Sequence, residues 1–204
     1  MKTKALIFDL GKVVFDVSFD LTFNRWAKDS GTPVDDIRST FRFDEVYAQF
    51  ETGALTPAEF RKAIGERNNF NLPDEQFDAG WCSLYLDVYP EVVALLEQLK
   101  HNYRLVALTN TNEIHARVWM KKYADTLLHF EKVFSSHELR LRKPDPEIFG
   151  VVLNWLNVHP EEAIFIDDNA ENVEAAERMG IETIFATSPT QIVTAIREKL
   201  RKQS

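Results

Sequence analysis

Two short apolar runs that each end in carboxylate constrain the fold of this chain more than any other feature. The first run, Ala5–Phe8, leads into Asp9, and the second, residues 163–166, leads into Asp167 and Asp168. Parallel strands that are covered on both faces are apolar along their length, and ligands bind beyond their carboxyl ends. If the two runs are neighbouring strands of one sheet, three carboxylates meet, and a divalent cation such as Mg²⁺ would offset their repulsion. The pattern therefore predicts a metal-assisted enzyme that uses a carboxylate as nucleophile.

Strand-like runs alternate with helical patterns along most of the chain. The strand candidates are residues 4–9, 103–109, 131–135, 163–167 and 182–186. Helical periodicity follows Pro90 and Pro146, and it recurs in residues 169–179 and 192–200. Alternating strands and helices are connected by right-handed crossovers, which make the strands parallel. We therefore expect an α/β fold with a doubly wound, Rossmann-like parallel sheet.

Residues 17–85 interrupt this alternation, because they are rich in Phe, Asp and Glu and contain no convincing strand. The segment Thr56-Pro57-Ala58-Glu59 has the pattern of a capping box with Pro at the first helical position. Asp74 is a candidate cap for a further helix with Phe77 and Trp81 on one face. The predicted domains are an α/β core of residues 1–16 and 86–204 and a small helical cap of residues 17–85, inserted after the first strand. Such a cap is either a lid over the strand ends or a purely structural subdomain.

Composition argues against several classes of protein. The net charge is −8 and no basic stripe is present, so a nucleic-acid-binding surface is not expected. No run approaches the roughly 18 apolar residues that span a bilayer, so membrane association is not expected either. The single cysteine, Cys82, excludes an intramolecular disulfide, and the first residues do not resemble a signal peptide, so we expect a cytoplasmic protein. The sequence is compatible with a monomeric or a homodimeric protein.

Four polar elements follow one another in a fixed order: Asp9, Thr109-Asn110, Lys143 and Asp167-Asp168. In this order they resemble the four motifs of the haloacid-dehalogenase-like (HAD) superfamily. The resemblance covers essentially the whole chain, with residues 17–85 in the place of that family's helical cap. It implies a phosphatase in which Asp9 attacks phosphorus in line and forms an aspartyl-phosphate that water then hydrolyses. The expected partner is a small phosphorylated metabolite.

The resemblance also implies roles for the other candidate site residues. Lys143 would neutralise the charge shared between Asp9 and the phosphoryl group. The residues implied to bind substrate or phosphate are Thr109, Asn110, Asn112, His115 and Lys143. The residues implied to hold Mg²⁺ are Asp9, Asp167, Asp168 and, through its backbone carbonyl, Gly11. Asn172 would orient the carboxylates. His115 and Trp119, four residues apart on one helix face, would either touch substrate or pack.

The chain departs from the usual pattern of these phosphatases at Gly11. Most of them carry a second aspartate there, which acts as general acid and then as general base, a contribution of roughly 10²–10⁴-fold in rate. Three explanations are open. The leaving group needs little help, as with the anomeric oxygen of a sugar 1-phosphate; another group, such as Asp16, Asp20, Glu51 or a metal-bound water, substitutes; or the protein binds without catalysing.

A bacterial subgroup of the superfamily also has glycine at this position. The chain is similar to it in residues 8–14, in Thr109-Asn110-Thr111-Asn112, and in the later His115 and Trp119. The best-known member of that subgroup is an α-D-glucose-1-phosphate phosphatase. The leading expectation is therefore a Mg²⁺-dependent phosphatase for a sugar phosphate such as glucose 1-phosphate. The alternatives are a metal-independent 2-haloacid dehalogenase, which would have little use for Asp167-Asp168, and a non-catalytic phosphosugar-binding or regulatory protein.

Overall fold

The computed structural model describes residues 2–202 and contains a central parallel sheet of five strands. The strands along the chain are β1 (Ala5–Phe8), β2 (Phe15–Val17), β3 (Tyr85–Val88), β4 (Arg104–Thr109), β5 (Lys132–Ser135), β6 (Ala163–Asp167) and β7 (Glu182–Phe185). Five of these strands form the central sheet in the order β5-β4-β1-β6-β7, and every neighbouring pair is parallel. The predicted α/β fold is confirmed. Each of the five predicted strands matches an observed strand to within one residue at either end.

Helices follow the strands along the chain, and several of them cover the two faces of this sheet. The helices are α1 (Phe19–Ser30), α2 (Val34–Thr40), α3 (Glu45–Glu51), α4 (Pro57–Asn68), α5 (Asp74–Trp81), α6 (Pro90–Leu99), α7 (Glu113–Lys122), α8 (Ala124–Leu127), α9 (Ser136–Leu139), α10 (Pro146–Leu156), α11 (Ala170–Arg178) and α12 (Pro189–Arg201). Helices α6, α7 and α12 contribute side chains to one apolar layer, and α10 and α11 contribute to the other. Within residues 2–202, no helix combines the length and the apolar character needed to cross a membrane.

The central strand β1 shows why the sheet is buried on both faces. Leu6 and Phe8 point into the first apolar layer, whereas Ala5 and Ile7 point into the second. This alternation is the two-residue period of a strand, and all four side chains are fully buried. Because β1 lies between β4 and β6, the polar residues that follow these three strands converge at one edge of the sheet.

Helices α1 to α5, which we call the cap, pack around an aromatic cluster of their own. Trp26 and Trp81 stack with their ring centroids 5.5 Å apart and an interplanar angle of 8°. The indole Nε1 of Trp26 donates to the carbonyl oxygen of Phe77 at 3.0 Å. Gly80 permits this close approach, because a Cβ atom at that position would overlap Cδ1 of Trp26 and would lie only 2.6 Å from its Nε1. The cap is therefore stabilised mainly by aromatic packing.

The ends of the cap differ from the sequence-based expectation. Strands β2 and β3 form an antiparallel ribbon in which Val17 pairs with Tyr85, at the two ends of the segment expected to lack strands. The ribbon strands are three and four residues long, which is too short for a periodic pattern. The division of the chain into domains at residues 16/17 and 85/86 stays a prediction.

The two predicted helix starts in the cap have different outcomes. The capping box is confirmed, because Glu59 N donates to Thr56 Oγ1 and Thr56 N donates to Glu59 Oε2. Asp74 was wrongly expected to be the cap of α5. It is the first residue of that helix, and Pro73 occupies the cap position without a side-chain bond. An acidic residue in the first turn still favours the helix through its dipole.

Candidate active site

Three carboxylates meet where β1 and β6 end. Asp9 follows β1 directly, and its backbone N–H donates to the carbonyl oxygen of Ile166 at 2.8 Å, so the two strand ends are tied together. Asp9, Asp167 and Asp168 each offer an oxygen atom, and these oxygen atoms lie within 4.8 Å of one another. The strand pattern in the sequence predicted this convergence.

Lys143 reaches this cluster from the loop before α10 and is 1% exposed. Its Nζ atom donates to Asp9 Oδ1 at 2.8 Å and to Asp167 Oδ2 at 2.6 Å. Asn110 fixes the loop, because its Nδ2 donates to the carbonyl oxygen of Lys143 and its Oδ1 accepts from the Lys143 N–H, both at 2.9 Å. We call the group of Asp9, Lys143, Asp167 and Asp168 the acidic floor.

The two consecutive aspartates of the floor have different surroundings. Asp167 is fully buried, and its oxygen atoms accept from the backbone N–H of Asn169, from Asn172 Nδ2 and from Lys143 Nζ. The side chain of Asp168 is 29% exposed, and the Nζ atom of Lys12 lies 3.9 Å from Oδ2 of Asp168. Asp168 therefore presents its carboxylate toward the cavity above the floor, whereas Asp167 is held by protein donors.

The electrostatics of the floor favour a divalent cation. Burial raises the pKa of Asp9 to about 7; Lys143 opposes this shift, and the carboxylates of Asp167 and Asp168 add to it. Burial and the neighbouring Asp167 also raise the pKa of Asp168. Burial of Lys143 lowers its pKa, but the carboxylates of Asp167 and Asp9 outweigh that effect and raise it above its usual range. When all three carboxylates are ionised, the Lys143 ammonium offsets one of their charges, and the exposed Lys12 ammonium lies only at the edge of the cluster, 3.9 Å from Asp168. The remaining negative charge and the all-oxygen donor set suit a hard ion such as Mg²⁺.

Two cavities converge on Asp9. One has a volume of about 290 Å³ and is lined by charged side chains, including Glu51, Arg142 and Asp168, together with the ring of Phe43; we call it the polar cavity. The other has a volume of about 110 Å³, and its lining includes Thr109, His115 and several aromatic side chains. Gly11 lines both. A larger groove of about 540 Å³ lies on the cap and contains no residue of the acidic floor, so cavity size alone does not locate the site.

The structure places the remaining candidate residues at different depths. Thr109 and Asn110 line the aromatic cavity together with Asp9. Asn112 is fully buried and is the N-cap of α7, where its Oδ1 accepts from the backbone N–H of His115 at 3.0 Å. This gives Asn112 a structural role, and its contact with substrate stays a prediction. Trp119 is buried in the core, where its Nε1 donates to Thr111 Oγ1 at 3.1 Å.

His115 joins the cap to the core. Its ring stacks on Trp81 at a centroid distance of 4.4 Å, and its Nε2 lies 3.0 Å from the carbonyl oxygen of Trp81. Its Nδ1 lies 3.1 Å from Asn112 Nδ2, which is consistent with a neutral ring that donates from Nε2. Burial lowers the pKa of His115 to about 3, so the ring is uncharged at neutral pH. Both nitrogens have protein partners, and the expected substrate contact stays a prediction.

The three candidate substitutes for the missing acid lie in different places. Asp20 is exposed and forms an ion pair with Arg38 at 2.9 Å. Asp16 accepts from the N–H of Val17 at 2.9 Å. Glu51 lines the polar cavity; burial raises its pKa, although Arg142 opposes that shift. Of the three, Glu51 shares a cavity with Asp9.

Sequence reasoning gave no site role to Phe43 or Arg142. Arg142 precedes Lys143, so its place beside the loop that reaches the floor was a signal that could have been used. Phe43 lies between α2 and α3 and has no distinguishing pattern, because an exposed Phe in a turn looks the same in sequence as one that packs in a core.

Comparison with known proteins gives this site a family. The haloacid dehalogenase-like hydrolase model matches residues 3–180. The chain is 28% identical over 196 residues to D-ribitol-5-phosphate phosphatase of Bacteroides thetaiotaomicron, covering 88% of this chain and 90% of that protein. It is 28% identical over 200 residues to the sesquiterpene phosphatase astK of Aspergillus oryzae, covering 96% and 95% of the two.

A solved structure agrees with these matches. A HAD family enzyme of Bacteroides thetaiotaomicron, crystallised with magnesium and inorganic phosphate, superposes on 89% of this chain and 93% of its own with a TM-score of 0.77 and 33% sequence identity. Because the family model covers most of the chain and this fold agrees over nearly the same span, the chain belongs to the haloacid dehalogenase-like hydrolase family.

Proposed function

We propose that this chain is a Mg²⁺-dependent phosphatase that hydrolyses a small phosphomonoester through an aspartyl-phosphate on Asp9. The observation that carries the proposal is the acidic floor. A buried lysine is held between Asp9 and Asp167, and the negative charge that remains on the three carboxylates is what a divalent cation offsets, so that an anionic phosphoryl group can approach. A nucleophile at a strand end, next to a fixed ammonium, suits attack on an anionic phosphate.

Asp9 has the role of nucleophile in this proposal. One of its oxygen atoms forms a bond to phosphorus while the ester P–O bond breaks, and the leaving oxygen takes up a proton from water. Water then attacks the same phosphorus, the bond to Asp9 breaks, and inorganic phosphate leaves. Lys143 favours the ionised form of Asp9, whose pKa is otherwise raised by burial, and it offsets charge on the phosphoryl oxygens. The Thr109 hydroxyl would donate to a phosphoryl oxygen.

The two consecutive aspartates at the end of β6, Asp167 and Asp168, would have unequal shares in holding the metal. Asp9, Asp168 and the backbone carbonyl of Gly11 would be its direct protein ligands. Asp167, whose oxygen atoms already accept from protein donors, would act mainly by positioning Lys143 and by adding negative charge beside the metal. When bound, Mg²⁺ would neutralise the carboxylates and polarise a phosphoryl oxygen.

The leading substrate class is the sugar and sugar-alcohol phosphates. The relative from Bacteroides thetaiotaomicron acts, by its name, on D-ribitol 5-phosphate, and the Aspergillus relative on a sesquiterpene. Glucose 1-phosphate is the finer proposal, because an anomeric leaving group depends less on the acid that Gly11 lacks. A cytoplasmic location and a monomeric or homodimeric state remain predictions.

Two other functions would need different sites. A dehalogenase releases halide without phosphoryl charge to offset, so it would not need the negative charge that remains beyond Lys143. A non-catalytic binding protein would not need Asp9 and Lys143 in contact at 2.8 Å. Neither is favoured by an observation in this structure.

The test is phosphate release from a panel of sugar phosphates and p-nitrophenyl phosphate, measured with Mg²⁺ and with a chelator. We expect Mg²⁺-dependent release, with a preference for 1-phosphates over phosphates of ordinary alcohols. Release that is unchanged by the chelator would contradict the metal role. Halide release from a 2-halo acid without any phosphate release would identify a dehalogenase instead.

A further inference from the structure

We propose that the mouth of the polar cavity is a subsite for a neutral, polyhydroxylated leaving group. Phe43 would be the surface on which its carbon skeleton rests, and Arg142, positioned by Glu51, would donate hydrogen bonds to its hydroxyl groups. This inference rests on the proposed phosphatase function and names the substrate class of the same site. We call Phe43, Glu51 and Arg142 the rim.

Phe43 is unusual because a large apolar side chain lies exposed at the opening of a polar cavity. It is 64% exposed, although burial of such a side chain is normally favourable. It is nevertheless fixed, because it makes edge-to-face contacts with Phe19 at 5.0 Å, Phe41 at 5.3 Å and Tyr47 at 5.0 Å, with interplanar angles of 83–84°. A held, exposed ring that shares a cavity with Asp9 is suited to pack against the C–H face of a ligand.

Arg142 supplies the polar side of the rim. Its Nε and Nη2 atoms both contact Oε2 of Glu51 at 3.0 Å, so one edge of the guanidinium is fixed by a carboxylate from the cap. The side chain of Arg142 remains 35% exposed, whereas that of Glu51 is 4% exposed. A planar donor held in one orientation next to the cavity is suited to hydroxyl oxygens.

The charge of the rim argues for a neutral leaving group. Arg142 and the ionised Glu51 together carry no net charge. Lys12, which lines the same cavity, is paired with Asp168. The rim therefore offers hydrogen bonds without excess positive charge for a second phosphate. An entirely apolar leaving group would suit Phe43 alone. Such a leaving group would displace water from Arg142 without replacing the lost hydrogen bonds, which is unfavourable. A carbon skeleton with hydroxyl groups along one side would pack against Phe43 and accept hydrogen bonds from Arg142.

The experiment compares ligand binding in the full-length Asp9→Asn protein with Mg²⁺, by calorimetry. The probes are inorganic phosphate, sorbitol 6-phosphate and hexyl phosphate, the last being an apolar molecule of similar length. In this background, Phe43→Ala should weaken sorbitol 6-phosphate binding roughly tenfold and leave inorganic phosphate unchanged. Arg142→Lys and Glu51→Gln should show the same selectivity. Leu128→Ala, which removes another exposed apolar side chain and lies in neither cavity, should change nothing.

Steady-state kinetics with an otherwise unchanged protein give a second comparison. The rim variants should lower kcat/KM for sorbitol 6-phosphate mainly through KM. They should leave acetyl phosphate unaffected, because it has no hydroxyl groups for the rim to bind and its leaving group needs no acid. Glu51→Gln should follow Arg142→Lys in this KM effect, which a purely structural role for Glu51 would not produce.

The outcomes separate this inference from the phosphatase proposal. Equal losses for sorbitol 6-phosphate and inorganic phosphate, or tighter binding of hexyl phosphate that depends on Phe43, would overturn the polyol subsite. An absence of any difference among the variants would overturn it as well. If the unsubstituted protein hydrolyses no phosphate but the binding differences are found, the subsite stands and the catalytic proposal fails.

Discussion

The acidic floor and the cap are held together by different kinds of interaction. In the floor, the carboxylate of Asp167 is buried and accepts from three protein donors, and Lys143 bridges two carboxylates. In the cap, aromatic rings pack around Trp26 and Trp81. Ionic groups at fixed distances allow little variation, whereas aromatic packing tolerates change provided that volume is preserved. The comparison suggests that chemistry lies in the floor and selectivity at the edge of the cap.

The largest expected effect separates the two regions by activity. Asp9→Asn should reduce turnover on the order of 10⁴-fold or more, because it removes the attacking carboxylate while preserving shape. The measurement is kcat for p-nitrophenyl phosphate with saturating Mg²⁺, together with far-ultraviolet circular dichroism to verify the fold. Retained activity would refute Asp9 as the nucleophile.

The same substitution should raise stability in the absence of metal. The pKa of Asp9 is raised from 3.8 to about 7 in the fold, so the ionised group destabilises the metal-free protein increasingly as pH rises from about 4 to 7. A tenfold change in the acid dissociation constant on folding corresponds to about 1.4 kcal/mol. Asp9→Asn should therefore increase the free energy of unfolding by a few kcal/mol at pH 8 in chelator, and by less at pH 5. A variant that is less stable than the unsubstituted protein at pH 8 would contradict this account of the floor.

The metal requirement should depend on Asp168 more than on the residues around it. Asp168→Ala should raise the Mg²⁺ concentration for half-maximal activity by more than the roughly 10–100-fold that is typical of outer-shell groups. Asp125→Ala, on α8 and outside both cavities, is the matched control. An unchanged Mg²⁺ titration for Asp168→Ala would show that this carboxylate is not a ligand.

A cap substitution should have the opposite signature, with lower stability and unchanged chemistry. Gly80→Ala would place a Cβ atom in overlap with the Trp26 ring, so we expect destabilisation of about 1–3 kcal/mol. Turnover of acetyl phosphate per folded molecule should stay within about twofold, because the floor is unaltered. Gly150→Ala is a control on α10, where an added Cβ meets no atom within 4 Å. It should be neutral or slightly stabilising, whereas an equal loss in both variants would indicate a helix effect rather than the Trp26 contact.

The last expected effect concerns Gly11, which lines both cavities next to the floor. A Cβ atom at Gly11 would have Val17 methyl carbons at 3.7 and 3.8 Å, which is ordinary van der Waals contact. Gly11→Asp should raise kcat for a poor leaving group, such as sorbitol 6-phosphate, by several-fold up to roughly 10²-fold. It should change glucose 1-phosphate turnover less. Equal effects on both substrates would argue against the leaving-group explanation of Gly11.

The sequence predicted the floor better than the cap for a physical reason. Buried parallel strands are short apolar runs, and the polar residues that end them must gather at one edge, so Asp9, Asp167 and Asp168 could be brought together without coordinates. The ribbon of β2 and β3 and the exposure of Phe43 depend on contacts between distant segments.

The role of Asp74 and the pairing of Glu51 with Arg142 were not predicted correctly from the sequence, and each has a physical reason. Asp74 is a residue type equally at home before a helix and in its first turn, and Pro73 takes the cap position. The partnership of Glu51 with Arg142 joins residues from the cap and from the loop that carries Lys143, and no spacing rule connects them.

The ribbon of β2 and β3 has a consequence for how this kind of protein can diversify. The pairing of Val17 with Tyr85 makes the chain leave and rejoin the core at neighbouring points. An insertion whose ends are already adjacent can be lengthened, shortened or exchanged at small entropic cost. The distance between Asp9 and Lys143 is set by β1 and the loop before α10, and it does not depend on the length of the inserted segment. Changes of length between the two ribbon strands therefore need not alter the contact between Asp9 and Lys143.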